Sequence, residues 1–413
     1  MFGRKQQDTP LPEKRKGRID LEKLASQATS TSAERGTGKK RAIAPTTKAA
    51  PGGAGVQNFL GADSPWFTDP VRFPRTGPRG EQLRFCVAYA TLAPSSHNSQ
   101  PWKFRVDDDA VFVYADRTRA LPVADPNDRE LTISVGCAVE CLSIALHRFG
   151  VEHTVELPHA DERDLLAVVR TGAEREATSD ARRLFDAMLR RRTTRTPFED
   201  TPVPEMALKE MVALAAARHA TFFPITDAST RFRVAKLVHE ADVVQFGNRS
   251  FRRELAMWLH HNRSHALDGI PGYAQGMDEM TSLVAPLVVR TFDLGENRGA
   301  RDEDLLLHSP LLACLGTARD TPADWVNAGR ALAAVLVRAA GAGVTASYLN
   351  QPIEVAELRG HFKHMVPEAG WPQILLRMGF GPKLSHTPRR PAKDVLIMPG
   401  TPEVRPKKKP AKR

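Results

Sequence analysis

Gly136-Cys-Ala-Val-Glu-Cys-Leu-Ser-Ile-Ala-Leu-His-Arg-Phe-Gly150-Val151 is written a second time, 193 residues later and without a gap, as Gly329-Arg-Ala-Leu-Ala-Ala-Val-Leu-Val-Arg-Ala-Ala-Gly-Ala-Gly343-Val344. Each copy is a glycine, a helix apolar nearly all round, a glycine suited to a C-cap, and a β-branched residue. A helix with no polar face is buried. Two copies at this separation point to two similar halves packed around a central helix pair. Two unrelated core helices would leave the same trace, so the repeat needs support from the surrounding text.

Working outward, residues 81–92 carry a mostly apolar helical face. Trp102-Lys-Phe-Arg-Val106 and Val111-Phe-Val-Tyr-Ala-Asp116 read as two strands joined by an acidic turn, a β-hairpin. The first buried helix is expected over 130–149, followed by strands in the text VEHTVELP and LLAVVR. Helices resume at about 179–191, 204–218, 230–246 and 250–261. Residues 262–283 interrupt them: Gly269, Pro271, Gly272 and Gly276 flank Ile270, Tyr273 and Met277. An apolar tip between flexible joints reads as a lid, with a plain long loop as the alternative.

The densest chemistry lies in Ala93-Pro94-Ser95-Ser96-His97-Asn98-Ser99-Gln100-Pro101-Trp102, a run of hydrogen-bonding side chains stiffened by prolines. Such a loop presents donors and acceptors. Asn98 and Gln100 suit the donor–acceptor edge of a nucleobase or flavin ring, and an ordinary Ser/Asn/Pro turn is the plainer reading.

This segment resembles the first signature of the FMN-dependent nitroreductases, and three others follow. Arg190-Arg191-Arg192-Thr193-Thr194-Arg195 resembles the family's arginine signature. Gly341-Ala-Gly-Val-Thr-Ala-Ser-Tyr-Leu-Asn-Gln351 resembles its mid-chain glycine-rich segment. Leu376-Arg-Met-Gly-Phe-Gly381 with Pro388-Arg389-Arg390-Pro391 resembles its closing strand and terminal arginines. The resemblance implies an α+β, nitroreductase-like fold: a mixed, mainly antiparallel sheet flanked by helices. It implies FMN contacted by Ser95, Ser96, His97, Asn98 and Gln100, with ribityl and phosphate held by Arg191, Arg192, Thr193, Arg195, Arg389 and Arg390. A backbone N–H near Leu349 and Asn350 would face the flavin. No catalytic side chain and no metal site is implied. In ordinary members the arginine signature comes first, whereas here the loop at 94–102 precedes it. A tandem fusion explains the order, and the arrangement is similar to the fused, dormancy-associated subgroup. The implied organisation is two degenerate halves about a pseudo-twofold axis, 66–185 and 186–400, the second carrying the lid at 262–283. Basic disordered tails are expected at 1–65, with a weak helical turn at 19–24, and at 401–413.

The activity implied is hydride transfer from NAD(P)H through FMN to a nitro- or quinone-type acceptor, by a monomer with an intramolecular pseudo-dimer. One alternative is a flavin-sequestering protein with a lid-closed site. Another is a binder of nucleic acid or acidic surfaces through the tails.

The charge is placed where the last of these would act and says nothing of the site itself. The net charge is +11, of which residues 1–50 carry +7 and residues 401–413 carry +5, so the body is close to neutral. No apolar run reaches the roughly 18 residues of a bilayer span, and the basic start leads into no apolar segment, so the cytoplasm is the expected compartment and no membrane partner is expected. Cys86, Cys137, Cys141 and Cys314 are too few and scattered for a disulfide framework and read as small buried hydrophobes. Gly341-x-Gly343-x-x-Ala346 follows a helix rather than a strand, against a dinucleotide fingerprint. His261 and His265 stand at i, i+4, but no carboxylate or cysteine completes a metal site.

Overall fold

The computed structural model describes Leu60 and residues 63–158 and 164–398. The expected tails and the turn at 19–24 lie outside these residues, apart from Leu60 and 63–65. Leu60 and Ser64 are already buried, so packed structure begins before the expected boundary at 66.

The chain opens with α1 (Arg79–Ala90), the hairpin β1 (Trp102–Val106) and β2 (Ala110–Ala115), then α2 (Arg129–Arg148), β3 (Val151–Glu156), β4 (Leu165–Glu174) and α3 (Ser179–Arg190). It continues through α4 (Glu205–Ala216), β5 (Ala220–Pro224), α5 (Ala228–Gly247), α6 (Arg249–Trp258), β6 (Leu259–His260), β7 (Ile270–Pro271), α7 (Glu279–Thr291) and α8 (Gly295–Leu307). The last part holds β8 (Leu311–Thr317), α9 (Pro322–Gly341), β9 (Thr345–Tyr348), α10 (Gln351–Glu354), α11 (Ala356–Met365), β10 (Trp371–Gly379) and α12 (Ala392–Val395).

Two four-stranded sheets form, in the orders β1-β2-β4-β3 and β5-β8-β10-β9, and every pairing within them is antiparallel. The topology is the same in both: two neighbouring strands, a 20-residue helix, an edge strand, and a return strand between edge and centre. The fold is therefore α+β and duplicated. As expected, each half has its own sheet; within each the pairing is wholly antiparallel rather than mixed, and the one parallel pair among the described strands is the short β6–β7 ladder. The helix expected over 250–261 ends at Trp258, where Leu259 and His260 turn extended to meet Ile270 and Pro271.

The repeated glycines explain how the halves join. A Cβ on Gly136 would stand 2.2 Å from the Val326 carbonyl oxygen, and one on Gly329 would stand 2.0 Å from that of Ile133. Both contacts obey the 193-residue offset, so each helix meets the other through the same patch, as in a twofold dimer interface. Only glycine permits backbones this close. The continuous apolar helices follow from this crossing. One core cluster takes Leu142, Ala145 and Leu146 from α2 together with Ala331, Val335 and Val337 from α9. The α2 helix is long and apolar enough to cross a membrane, yet 94% of that span is buried inside the protein. All four cysteines are free and buried.

Beyond β10 the chain crosses back to the first sheet. Leu396 forms a bridge with Phe104, the Ile397 N–H donates to the Phe104 carbonyl at 2.8 Å, and Trp66 Nε1 donates to the Thr387 carbonyl at 2.9 Å. This return brings residues 386–390 onto the loop at 95–100.

Candidate functional site

The loop between α1 and β1 is held in an uncommon backbone shape. His97, Asn98 and Gln100 all adopt left-handed φ, at 53°, 54° and 52°. For residues other than glycine such geometry costs about 1–3 kcal/mol each, less for Asn, and persists only where surroundings enforce it. The enforcement is visible. The Ser95 hydroxyl oxygen accepts from the Gln100 N–H at 2.9 Å, and the Ser96 hydroxyl donates to Glu130 at the start of α2.

The loop's two amides are fully engaged by protein. Asn98 Nδ2 donates to the carbonyls of Gly269 (2.9 Å) and Pro388 (3.1 Å), while its Oδ1 accepts from Arg389 Nη1 at 2.8 Å. Gln100 Nε2 donates to the Leu267 carbonyl at 2.8 Å, and its Oε1 accepts the Arg390 N–H at 2.8 Å. The amide of Asn98, expected to read a ring edge, here ties the 262–283 segment and the returning C-terminal arm to the first half. Arg390 is engaged in the same way, on the carbonyls of Gln100 (3.2 Å) and Asp394 (2.8 Å) and beside Asp116, which fastens the arm to the loop. The 262–283 segment is closed in this structure. Tyr273 donates to the His386 carbonyl at 2.8 Å, and Arg195 donates to the Ala274 carbonyl at 3.2 Å.

A buried group of cations lies beneath. Arg191 is 5% exposed and Arg389 3% exposed. Neither pairs with a carboxylate among the described residues, and Arg389 Nε has no hydrogen-bond partner. Burial, then the Arg191 cation, pulls Arg389 down to about 9. Arg192 reaches His386 Nε2 at 2.5 Å and the Leu384 carbonyl at 3.0 Å, and burial followed by Arg191 lowers it to about 10. Burial, and then the positive field of Arg192, Arg389 and Arg191, pushes His386 down to about 3. The Tyr348 hydroxyl, also without a partner, lies in the field of Arg191, Arg195 and Arg389. Thr193 bridges to Ala346, which docks the arginine segment on β9.

A second focus joins the halves through a carboxylate. Glu130 accepts from Ser96 and, at 3.0 Å, from Asn350 Nδ2, so two expected site residues from opposite halves meet on it. Asn350 Oδ1 accepts the Leu375 N–H at 3.0 Å. The Leu349 N–H donates to the Leu375 carbonyl at 2.9 Å, because residue 349 continues the β9–β10 pairing. His97 lies between the foci. Burial, opposed by Glu130 and reinforced by Arg195, holds it near 4, so it is neutral at pH 7 with an unpartnered Nε2.

Sequence reading missed Glu130, Glu354, Arg377 and His386. Burial and the nearby Glu130 raise the Glu354 carboxyl well above its ordinary range. Arg377, 1% exposed, donates to the carbonyls of Thr194 and Thr196 and so shapes the segment that carries Arg195. The signals were present: a charge inside the apolar run Leu375-Leu-Arg-Met378, and Arg129-Glu130 leading directly into a helix apolar nearly all round.

No family model matches the chain. Curated relatives do. It is 29% identical over 331 residues, 78% of this chain and 93% of the relative, to the Mycobacterium tuberculosis protein named "Putative NAD(P)H nitroreductase Rv3131". It is 27% identical over 328 residues, 78% of this chain and 97% of the relative, to that organism's "Putative NAD(P)H nitroreductase acg". The chain is nitroreductase-like. This nitroreductase-like chain is also 28% identical over 333 residues to an uncharacterized M. tuberculosis protein, Rv3127, covering 78% of this chain and 94% of the relative. Among solved structures it is similar to an FMN-bound nitroreductase from Bacteroides fragilis (12% identity, TM-score 0.30, 48% of this chain and 88% of that one). NfnB, described as an FMN- and NADPH-dependent nitroreductase from a Sphingopyxis strain, is a second (16%, 0.34, 53% and 99%).

Proposed function

We propose that this protein is an FMN-dependent oxidoreductase that takes hydride from NAD(P)H and passes it to a nitro- or quinone-type acceptor. The observation that carries the reading is the buried, uncompensated pair Arg191 and Arg389, assembled beside a strained loop from the other half. A buried cation without a counter-charge is expensive, and a phosphate removes that cost. Planar guanidinium forks match phosphate oxygens bidentately. The unpartnered Arg389 Nε, Tyr348 hydroxyl and His97 Nε2 add polar atoms suited to a ligand that is anionic at one end and a hydrogen-bonding ring at the other. Arg191, Arg192, Arg195 and Arg389 would hold phosphate and ribityl, while Ser96, His97 and Asn350 stand where the halves meet. FMN, when bound, supplies reversible hydride acceptance; the protein supplies orientation and charge. The names of the curated relatives support the same activity.

The closed 262–283 segment favours a second reading, a flavin-holding protein that excludes acceptors. A visible absorbance spectrum of the purified protein, followed by steady-state NAD(P)H oxidation with a nitroaromatic and a quinone, tests both. Bound flavin with turnover supports the enzyme, bound flavin without turnover supports the holding protein, and failure to bind added FMN overturns both.

A further inference from the structure

Away from these residues, a cavity of about 410 Å3 is lined by Arg249, Arg252, Arg253, Arg290 and Thr291. Arg249, Arg252 and Arg253 stand at i, i+3 and i+4 on α6, so their side chains share one face. Arg290 comes from the last turn of α7, where helix carbonyls favour a cation. On α6 the cations stand at the opposite end of the helix, where the Asn248 side chain caps it by accepting the Ser250 and Phe251 N–H groups at 2.9 and 3.4 Å. Arg249 is its first residue, and the partial positive charge of the helix N-terminus adds to the three guanidinium groups.

Among the described residues no carboxylate pairs with any of the four. Glu254, the acid of α6, is turned away and accepts the N–H groups of Val123 (2.9 Å) and Ala124 (2.8 Å). Asp293, just beyond α7, accepts the Gly295 N–H at 2.9 Å. Arg252 is oriented from behind by donation to the Phe246 and Gly247 carbonyls, and its Nε is buried without a partner. Four like charges brought together repel one another, and side chains on a free surface would spread apart. A compact polyanion reverses the sign of that energy. A guanidinium fork bonds two oxygens at once, which a carboxylate can also offer, but only a group with several oxygens and several negative charges, such as a diphosphate, can satisfy more than one fork together. The volume falls in the range of about 300–1,000 Å3 usual for small-molecule sites. The lining has no apolar side chain to grip a ring or an acyl chain.

We propose that the α6–α7 pocket binds a diphosphate group, either as inorganic diphosphate or as the phosphate end of a nucleotide. The site is independent of the flavin reading and of the buried Arg191–Arg389 pair.

The test is isothermal titration of the full chain with sodium pyrophosphate at about 0.15 M salt, with ADP as the nucleotide arm and citrate as a non-phosphate polyanion. The informative variants are Arg249→Ala/Arg253→Ala/Arg290→Ala together, all at exposed positions, Arg290→Ala alone, and Arg191→Ala. Pyrophosphate is expected to bind the unaltered chain with Kd tighter than about 1 mM. The triple variant should bind at least tenfold more weakly and Arg290→Ala several-fold more weakly, while Arg191→Ala should keep this site's affinity and lose at most a separate binding event at the buried arginines. ADP binding as tightly as pyrophosphate supports the nucleotide source, and weaker ADP binding supports inorganic diphosphate. Three results overturn the proposal: no binding by the unaltered chain, citrate bound as tightly as pyrophosphate, or affinity lost in Arg191→Ala while the arginine-pocket variants retain it. If the triple variant loses its far-ultraviolet circular dichroism, Arg290→Ala alone decides, and unchanged affinity there overturns the proposal.

Discussion

Replacing Gly329 by alanine should destabilise the protein even though alanine is the better helix former. In an exposed helix the exchange gains about 1 kcal/mol. At the crossing of α2 and α9 the new methyl would stand 2.0 Å from the Ile133 carbonyl oxygen and 2.8 Å from the Gly136 Cα. A carbon and a carbonyl oxygen rest no closer than about 3.3 Å, so the two backbones must separate locally by more than an ångström. The obstacle is backbone, which cannot swing aside as a side chain would. Overpacking of a well-packed core costs about 1–3 kcal/mol, sometimes more, and this site belongs at the upper end. The net loss is then about 2 kcal/mol after the helix-propensity gain. For a chain of this size that lowers Tm by roughly 2–3 °C. Gly136→Ala, whose methyl would meet the Val326 carbonyl at 2.2 Å, should cost about the same. The double variant should cost less than the sum, because one separation relieves both clashes. Gly360→Ala is the control: it lies within α11, and nothing stands within 4 Å of its added Cβ. That variant should be neutral or stabilised. Scanning calorimetry on the unaltered chain and the four variants measures all of this. If Gly329→Ala proved as stable as Gly360→Ala, the close crossing, and with it the reciprocal packing of the halves, would be refuted.

Arg191→Ala should weaken FMN binding about ten- to a hundredfold while leaving riboflavin, which lacks the phosphate, nearly unaffected; equal losses for both ligands would place Arg191 away from the phosphate. His386 is held near 3 against an ordinary value of 6.5, so below about 6.5 the unfolded chain takes up a proton that the folded chain refuses. Its contribution to stability is therefore full above that pH and declines as pH falls toward 3. Urea midpoints at pH 7 and pH 5 should shift in favour of His386→Gln relative to the unaltered chain as pH drops, and a constant difference would remove the burial argument. Gly269 has φ +71°, and a Cβ there would meet His260 Nε2 at 2.3 Å and the Trp258 carbonyl at 2.6 Å. Gly269→Ala should unseat the 262–283 segment from Asn98 and Gln100, so that trypsin cuts at the exposed Arg263 faster; an unchanged cleavage rate would mean that the segment is not held there.

The sequence alone determined the elements whose signals are local or repeated. Two helices with no polar face can only be buried, and two glycines at one offset already marked how they cross. The hairpin at 102–115 follows from alternating side chains around an acidic turn, and its pairing of Trp102 with Ala115 is fixed by that short turn. The site was legible as residue types, since a polar loop and buried arginines carry their chemistry with them. What each does was not legible, because a hydrogen bond between residues hundreds of positions apart leaves no mark in either local text. Only the tertiary structure decided that Asn98 and Gln100 hold the 262–283 segment and the C-terminal arm, that Arg390 bonds the Gln100 and Asp394 carbonyls, and that the Leu349 N–H pairs with β10. Only it revealed Glu130 as the meeting point of Ser96 and Asn350, since a carboxylate at a helix start ordinarily faces water. The all-antiparallel pairing within each sheet was likewise beyond the sequence. Strand pairing is settled by which edges the crossed helices leave within hydrogen-bonding reach, a property of the packed whole.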